Sequence, residues 1–270
     1  MSIRPSRLAD FIIATIKQQV TRAGAVTAYR EPLVSFADAD DPQFTELRQV
    51  AEPTHMLPQD LLPGARSVVS FFVPFGRQIV RANSRRKDRV AREWAVAYVE
   101  TNALIGRITA ALIELLAERG VRAAAEPATD NFDPETLISR WSHKSVAVIA
   151  GLGSFGLHHM VITDAGCAGR FGSVVIDAAL PVHRREVKER CLYYHDGSCV
   201  FCVSRCPIGA LDEDQGIDKQ RCWARCLEVA RTLVQGPRKY ADVGRAEVCG
   251  KCAMGPCALK NPVVDPARGQ

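Results

Sequence analysis

The alternation of apolar and polar positions divides this chain into a body with regular periodicity and a tail without it. From about Arg7 to Arg22, Leu8, Phe11, Ile12 and Ile16 recur at helical spacing, and Gly24 follows as a stop signal. Two strand-like runs come next, "AVTAY" at 25–29 and "SVVSFFVPF" at 67–75. The second is apolar on both faces, as a central strand must be. A long helical pattern then runs from about Arg85 to Arg119, with Val90, Trp94, Tyr98, Ile105, Ile108, Leu112 and Leu116 on its inner stripe and Gly120 at its end. Glu100, Thr101 and Asn102 put polar groups midway along it, where they either line a cavity or face outward.

Beyond this helix, "DPETLISRW" reads as another, with Asp133 as N-cap and Pro134 at its first position. Ser142 caps a further helix through "HKSVAVIA", which Gly151 stops. Gly151, Gly153 and Gly156 then fall in G-x-G-x-x-G spacing within "GLGSFGLHHMVIT". A dinucleotide site needs a strand before those glycines and a long helix after them. Here a short β-branched run and a second strand-like run, "FGSVVIDAAL", follow instead, so the segment reads as a glycine loop entering a two-stranded hairpin. Such glycines let backbone approach another backbone or a flat ligand closely. His158 and His159 are adjacent, so in a strand they point to opposite faces and do not chelate one metal together. One of them can still face a pocket.

Composition adds a size and a compartment. With 270 residues, 47% hydrophobic, the chain can bury the core of one medium domain and a smaller one. No apolar stretch reads as a membrane span, and "FIIATI" is too short for a signal sequence and runs into Lys17. A cytoplasmic protein without membrane contact is expected. Of its ten cysteines, nine lie between Cys191 and Cys257, and in a reducing compartment they read as metal ligands. The chain therefore divides into a body, 1–185, and a cysteine-dense module, 186–270. The net charge is +5, but residues 77–92 alone hold seven Lys and Arg against Asp88. That segment is a solvated helix start or a docking site for an anionic cofactor, an acidic partner or RNA.

The bacterial iron–sulfur run is C-x2-C-x2-C-x3-C-P, whose fourth cysteine ligates a different cluster from the first three. Counting back from Pro207 gives Cys206, Cys202, Cys199 and then Asp196, so three of the four positions fit and a second cluster is implied. "CGKCAMGPC" supplies Cys249, Cys252 and Cys257, while "DKQRCWARC" supplies Cys222 and Cys226 one helical turn apart. Crossed ligation assigns Cys199, Cys202 and Cys257 to the first cluster, and Cys206, Cys222, Cys249 and Cys252 to the second. Cys191, Asp196 and Cys226 compete for the fourth position of the first. Soft thiolate suits such iron better than carboxylate, which favours Cys191. Two zinc sites built on the C-x2-C pairs are the alternative, against which "CPIGA" argues. Cys167 and Cys226 are left as spare thiols.

Together these residues resemble the epoxyqueuosine reductase family of iron–sulfur proteins, itself related to the reductive dehalogenases. The similarity runs through "LLPGARSVVSFFVPF", "AYVETN", "HKSVAVIAGLGSFGLHHMVIT", "CPIGAL", "DKQRC" and "CGKC". It implies an α/β (α+β) fold: a nitroreductase-like body and a ferredoxin-like module holding two 4Fe-4S clusters. The clusters would pass single electrons to cobalamin held near the Gly151, Gly153, Gly156 and His158 loop, and thence to a small-molecule substrate. "ETN" lies near the place of that family's "DYH" element, making Glu100 a candidate proton donor alongside Tyr98. A short branch without C-terminal helical repeats is expected. The electron donor would be a carrier such as ferredoxin or flavodoxin. A corrinoid-free electron-transfer or maturation protein is the alternative, and tRNA-linked epoxyqueuosine reduction, with nucleic acid as partner, is a further one.

Overall fold

The computed structural model describes residues 4–182, 188–234 and 246–263. In chain order the body contains α1 (Pro5–Thr21), β1 (Leu33–Asp38), α2 (Pro42–Val50), α3 (Pro58–Leu61), β2 (Ser67–Pro74), α4 (Arg77–Ser84) and α5 (Arg92–Ala117). It continues through β3 (Ala123–Ala124), α6 (His143–Ile149), β4 (Gly153–Phe155), β5 (Val161–Thr163) and β6 (Gly169–Ile176). The module adds α7 (Leu192–Asp196), α8 (Phe201–Arg205), β7 (Leu211–Asp212), β8 (Gly216–Ile217), α9 (Lys219–Val234) and a 3-10 turn at Lys251–Met254. The expected mixed fold is present.

The apolar run at 67–75 forms β2, buried at every position because it is an inner strand of a four-stranded sheet ordered β1-β2-β6-β3. All three pairings are antiparallel. Alternate residues of β2 feed opposite layers, as a period of two requires. Val69, Phe71 and Val73 meet Leu8, Ile12 and Ile16 of α1 and Leu104, Ile105 and Ile108 of α5. Val68 faces the other way, toward Phe44 of α2 and Val146 and Ile149 of α6. Each such side chain, fully buried, contributes about 1.5–3 kcal/mol of transfer free energy. By length and composition α5 would also pass as a membrane span. Its stripe Leu104, Ile105, Ile108, Leu112 and Leu116 is instead the core of the body.

Three expectations are corrected. "AVTAY" is not a strand: Tyr29 makes one isolated bridge to Phe75, and the edge strand comes later, as β1. Ser35 in β1 masked its apolar character, and its hydroxyl donates to Ala150 O at 2.5 Å. The long helix does not begin at Arg85. Asn83 Oδ1 accepts from Ala91 N at 3.0 Å and Asn83 O accepts from the Lys251 ammonium at 2.6 Å, which bends 85–91 into a loop between α4 and α5. "DPETLISRW" forms a single turn. Asp133 caps Glu135 N and Thr136 N, each at 2.8 Å, but Leu137 turns left-handed at φ 57° and ends it.

The expected boundary near Arg185 lies outside the described residues. The two parts share backbone pairing and a core. Cys167 N donates to Cys257 O at 2.9 Å, Ala168 N to Ala258 O at 3.0 Å, and Arg30 Nη1 to Leu259 O at 2.9 Å. Phe75, Ile79 and Trp94 of the body pack with Val229, Ala253, Met254 and Ala258 of the module.

Candidate iron–sulfur sites and an adjoining cleft

The cysteines gather into two groups back to back. Cys191, Cys199, Cys202 and Cys257 line a narrow cavity, and Cys206, Cys222, Cys226 and Cys249 line a larger one, of about 350 Å³. Cys252 borders both. Local backbone aims the thiols. Gly197, at φ 74°, caps α7 and turns the chain from Cys191 toward Cys199. In "CPIGA", Gly209 at φ 59° lets Ala210 N point back at Cys206 Sγ, 3.2 Å away. In "CGKC", Gly250 sits at φ 66°, and a Cβ there would lie 2.3 Å from Trp94 Nε1, so only glycine fits under the indole.

Asp196 is exposed and accepts from Ser198 N at 2.9 Å. It lines neither cavity, and Cys226 lines the second rather than the first. Cys191 is thus the remaining candidate that joins Cys199, Cys202 and Cys257.

The thiols' electrostatics suit a cationic occupant. Burial pushes Cys202 up to about 12 and raises Cys249 and Cys252 as well. Metal coordination deprotonates such thiols outright. Cys257 runs the other way: the Cys167 thiol donates to it across 3.8 Å and His158 Nε2 stands 3.2 Å away, so it is pushed down to about 5. His158, Cys167 and Cys257 also form a compact group of possible metal donors. Cys222 and Cys226, one helical turn apart, act on each other, which lowers the first and raises the second.

The larger cavity opens away from the cysteines toward Trp94, Tyr98 and Arg170. A second lobe of about 260 Å³ runs on toward Trp141 and His143, and the two lobes share Lys144, Met160, Gly169 and Arg170. The Arg170 guanidinium lies 4.3 Å above the Tyr98 ring. Lys144 Nζ donates to His159 O at 3.0 Å, and burial lowers its pKa. Trp94 Nε1, Arg170 Nε and Arg225 Nε are buried at this cleft without an acceptor among the described residues. Buried donors are almost always satisfied, so the arrangement calls for an acceptor-rich occupant.

The other predicted site residues are placed as follows. Tyr98, His158 and His159 line the cleft. The two histidines sit in the turn between β4 and β5, with His159 at φ 58°. Gly151, Gly153 and Gly156 do not line it. They serve the hairpin: a Cβ on Gly153 would lie 2.2 Å from Ile162 O, and one on Gly156 2.9 Å from the His158 ring. Glu100 is elsewhere too, its carboxylate accepting from Val26 N at 3.1 Å and Thr27 N at 2.8 Å. Cys167, Trp94, Lys144 and Arg170 are site residues that the sequence reading missed. Lys251 is a further one: its buried ammonium binds Asn83 O and Oδ1, and Asn83 Nδ2 in turn donates to Cys249 O at 3.2 Å.

No family model matches the chain. The curated epoxyqueuosine reductase of Salmonella typhimurium is 30% identical over 166 residues, which are 61% of this chain and 40% of that protein. That of Escherichia coli is 29% identical, over 61% of this chain and 41% of its own length. The chain thus spans about two fifths of the length of these relatives. A solved epoxyqueuosine reductase with an epoxyqueuosine-modified tRNA-Tyr stem loop superposes with a TM-score of 0.55 at 15% identity, over 94% of this chain and 70% of that one. A catabolic reductive dehalogenase in complex with 3-bromo-4-hydroxybenzoic acid gives 0.56 at 17%, over 96% and 33%. The chain is thus similar in sequence to the epoxyqueuosine reductases over about three fifths of its length, and in fold to both groups.

Proposed function

We propose that the protein is an iron–sulfur reductase. Cys191, Cys199, Cys202 and Cys257 hold one 4Fe-4S cluster, Cys206, Cys222, Cys249 and Cys252 the other, and electrons leave the second into the cleft. The observation that carries this reading is that Cys252 borders both cavities, so that clusters held in them would lie within a short electron hop. Lys144, Arg170 and Trp94 hold the acceptor groups of a corrinoid or of a small organic substrate. When bound, the corrinoid supplies a one-electron carrier that reduces the substrate. Tyr98 is the proton donor: it lines the cleft, and the guanidinium over its ring orients it.

The electron donor is an acidic carrier of the ferredoxin or flavodoxin kind. The exposed Arg77, Arg81, Arg85, Arg86, Lys87 and Arg89 form a ridge beside the second group of cysteines, tied to it by Lys87 Nζ to Ser204 O at 2.6 Å and by Asn83 to Cys249. Charge complementarity at such a surface governs encounter rate and falls with salt.

Anaerobic purification with iron and acid-labile sulfide analysis tests the clusters, and added cobalamin with a cob(II)alamin spin signal tests the cleft. A colourless protein carrying zinc alone would reject the reading. A tRNA-linked activity is favoured by one observation, the likeness to a structure that holds a modified tRNA stem loop. Strongly salt-dependent tRNA binding by the holoprotein is its test.

A further inference from the structure

The second cavity contains more thiols than one cluster takes. A 4Fe-4S cluster takes one thiolate per iron, four in all. Six cysteines line that cavity; Cys167 donates to Cys257 of the first group across 3.8 Å, which leaves Cys206, Cys222, Cys226, Cys249 and Cys252. Cys249 and Cys252 are fixed by the 3-10 turn that Lys251 pins to Asn83, and Cys206 by the α8 terminus and the Ala210 N–H. The redundancy therefore lies on α9.

Cys222 and Cys226 stand at i and i+4, which puts their Cβ atoms about 5–6 Å apart on one face of the helix. Val229 continues that face and is buried in the core shared with the body. The roll of α9 is set from both flanks. Trp223 packs edge-on against Phe132, with ring centroids 5.4 Å apart, and Arg225 donates to Asp88 O at 2.5 Å. Neither cysteine can therefore turn to solvent by rotation of the helix, and both line the same cavity.

We propose that Cys222 and Cys226 are interchangeable ligands of the same iron of the second cluster, so that α9 completes the set of four with either one. This rests on the reading of the cavity as a cluster site. The exchange balances without a co-reactant. The iron–sulfur bond to Cys222 would break as that to Cys226 formed, the thiol proton of Cys226 would pass to the departing Cys222 sulfur one helical turn away, and no electron would move. The consequence is a cluster that survives the loss of either thiol.

The test uses the full chain, made without air, as wild type, Cys222→Ala, Cys226→Ala and the double variant. Iron and sulfide are counted per chain, and spin spectra of the reduced proteins are recorded. The wild type and both single variants are expected to hold about eight irons, and the double variant about four or a three-iron signal in the second site. The single variants should differ from wild type in the line shape of one cluster, since the coordinating thiol reaches the iron from a different position. If Cys222→Ala alone falls to the iron content of the double variant, the interchange is overturned while the cluster reading stands. If the double variant keeps about eight, α9 supplies no ligand and the proposal fails. A wild type without iron overturns both. Circular dichroism verifies folding, and Cys222→Ser, judged by the same counts, replaces any alanine variant that loses its helix signal.

Discussion

The imidazole Nε2 of His158 stands 3.2 Å from Cys257 Sγ, although the two residues lie 99 positions apart and in different parts of the fold. The β4–β5 turn delivers the ring, and the backbone pairing of Cys167 with Cys257 delivers the sulfur. A hydrogen bond to a coordinating sulfur stabilises the more negative, reduced state of a cluster, and so raises its potential. His158→Ala should lower the potential of the first cluster by about 60 mV, or roughly 1.4 kcal/mol for one electron, with iron content unchanged. Spin-monitored redox titration measures this. A variant with unaltered potential would show that the contact does not reach the cluster.

The first site should also distinguish Cys191 from Asp196. Cys191 lines the cavity of Cys199, Cys202 and Cys257, while Asp196 is engaged at the surface with Ser198 N. Cys191→Ala should lose the first cluster or leave a three-iron form, and Asp196→Ala should keep full iron. Iron counting with spin spectroscopy decides between them, and the reverse pattern would make the aspartate the ligand.

Glu100 and Tyr98 should separate as a structural and a catalytic residue. Tyr98→Phe is expected to leave cluster content and fold intact and to slow substrate reduction more than tenfold, as loss of a placed acid does. Glu100→Ala should instead destabilise the body by roughly 2 kcal/mol, because Val26 N and Thr27 N lose a charged acceptor. Urea unfolding reads the second effect and turnover with a chemical reductant the first. A Glu100→Ala protein of unchanged stability but without turnover would reverse the assignment.

How far the sequence revealed the site depended on the distance over which each contact is made. The grouping of the cysteines was legible because their spacing is local: "CVFCVSRCP" and "CGKC" carry their geometry in a few residues of loop. β2 was legible for a similar reason, since a run buried on both faces has no polar alternation to hide it. Cys167 read as a spare thiol because its partner, Cys257, arrives only through pairing between body and module. Glu100 was ambiguous because its role is set by a loop more than seventy residues upstream. Lys251 was visible as a letter in "CGKC", but its burial depends on Asn83, and Asn83 in turn breaks the helix that periodicity had extended to Arg85.

The cleft's second lobe carries a pH dependence with a defined sign. His143 Nε2 donates to Pro127 O at 3.0 Å, and its Nδ1 accepts from the Ser173 hydroxyl at 2.8 Å, whose oxygen accepts from Trp141 Nε1 at 3.0 Å. This chain fixes a neutral ring, and burial pushes its pKa down from 6.5 to about 4. Between those values the unfolded chain binds a proton that the folded one does not. The stabilisation is therefore complete above pH 6.5 and is lost as pH falls toward 4. From pH 6.5 to 5 the loss should be roughly 2 kcal/mol, at about 1.36 kcal/mol for each unit. Urea unfolding at both pH values, comparing wild type with His143→Gln, measures it. The wild type should lose that much more than the variant, whereas parallel curves would show that His143 is not neutral in the fold.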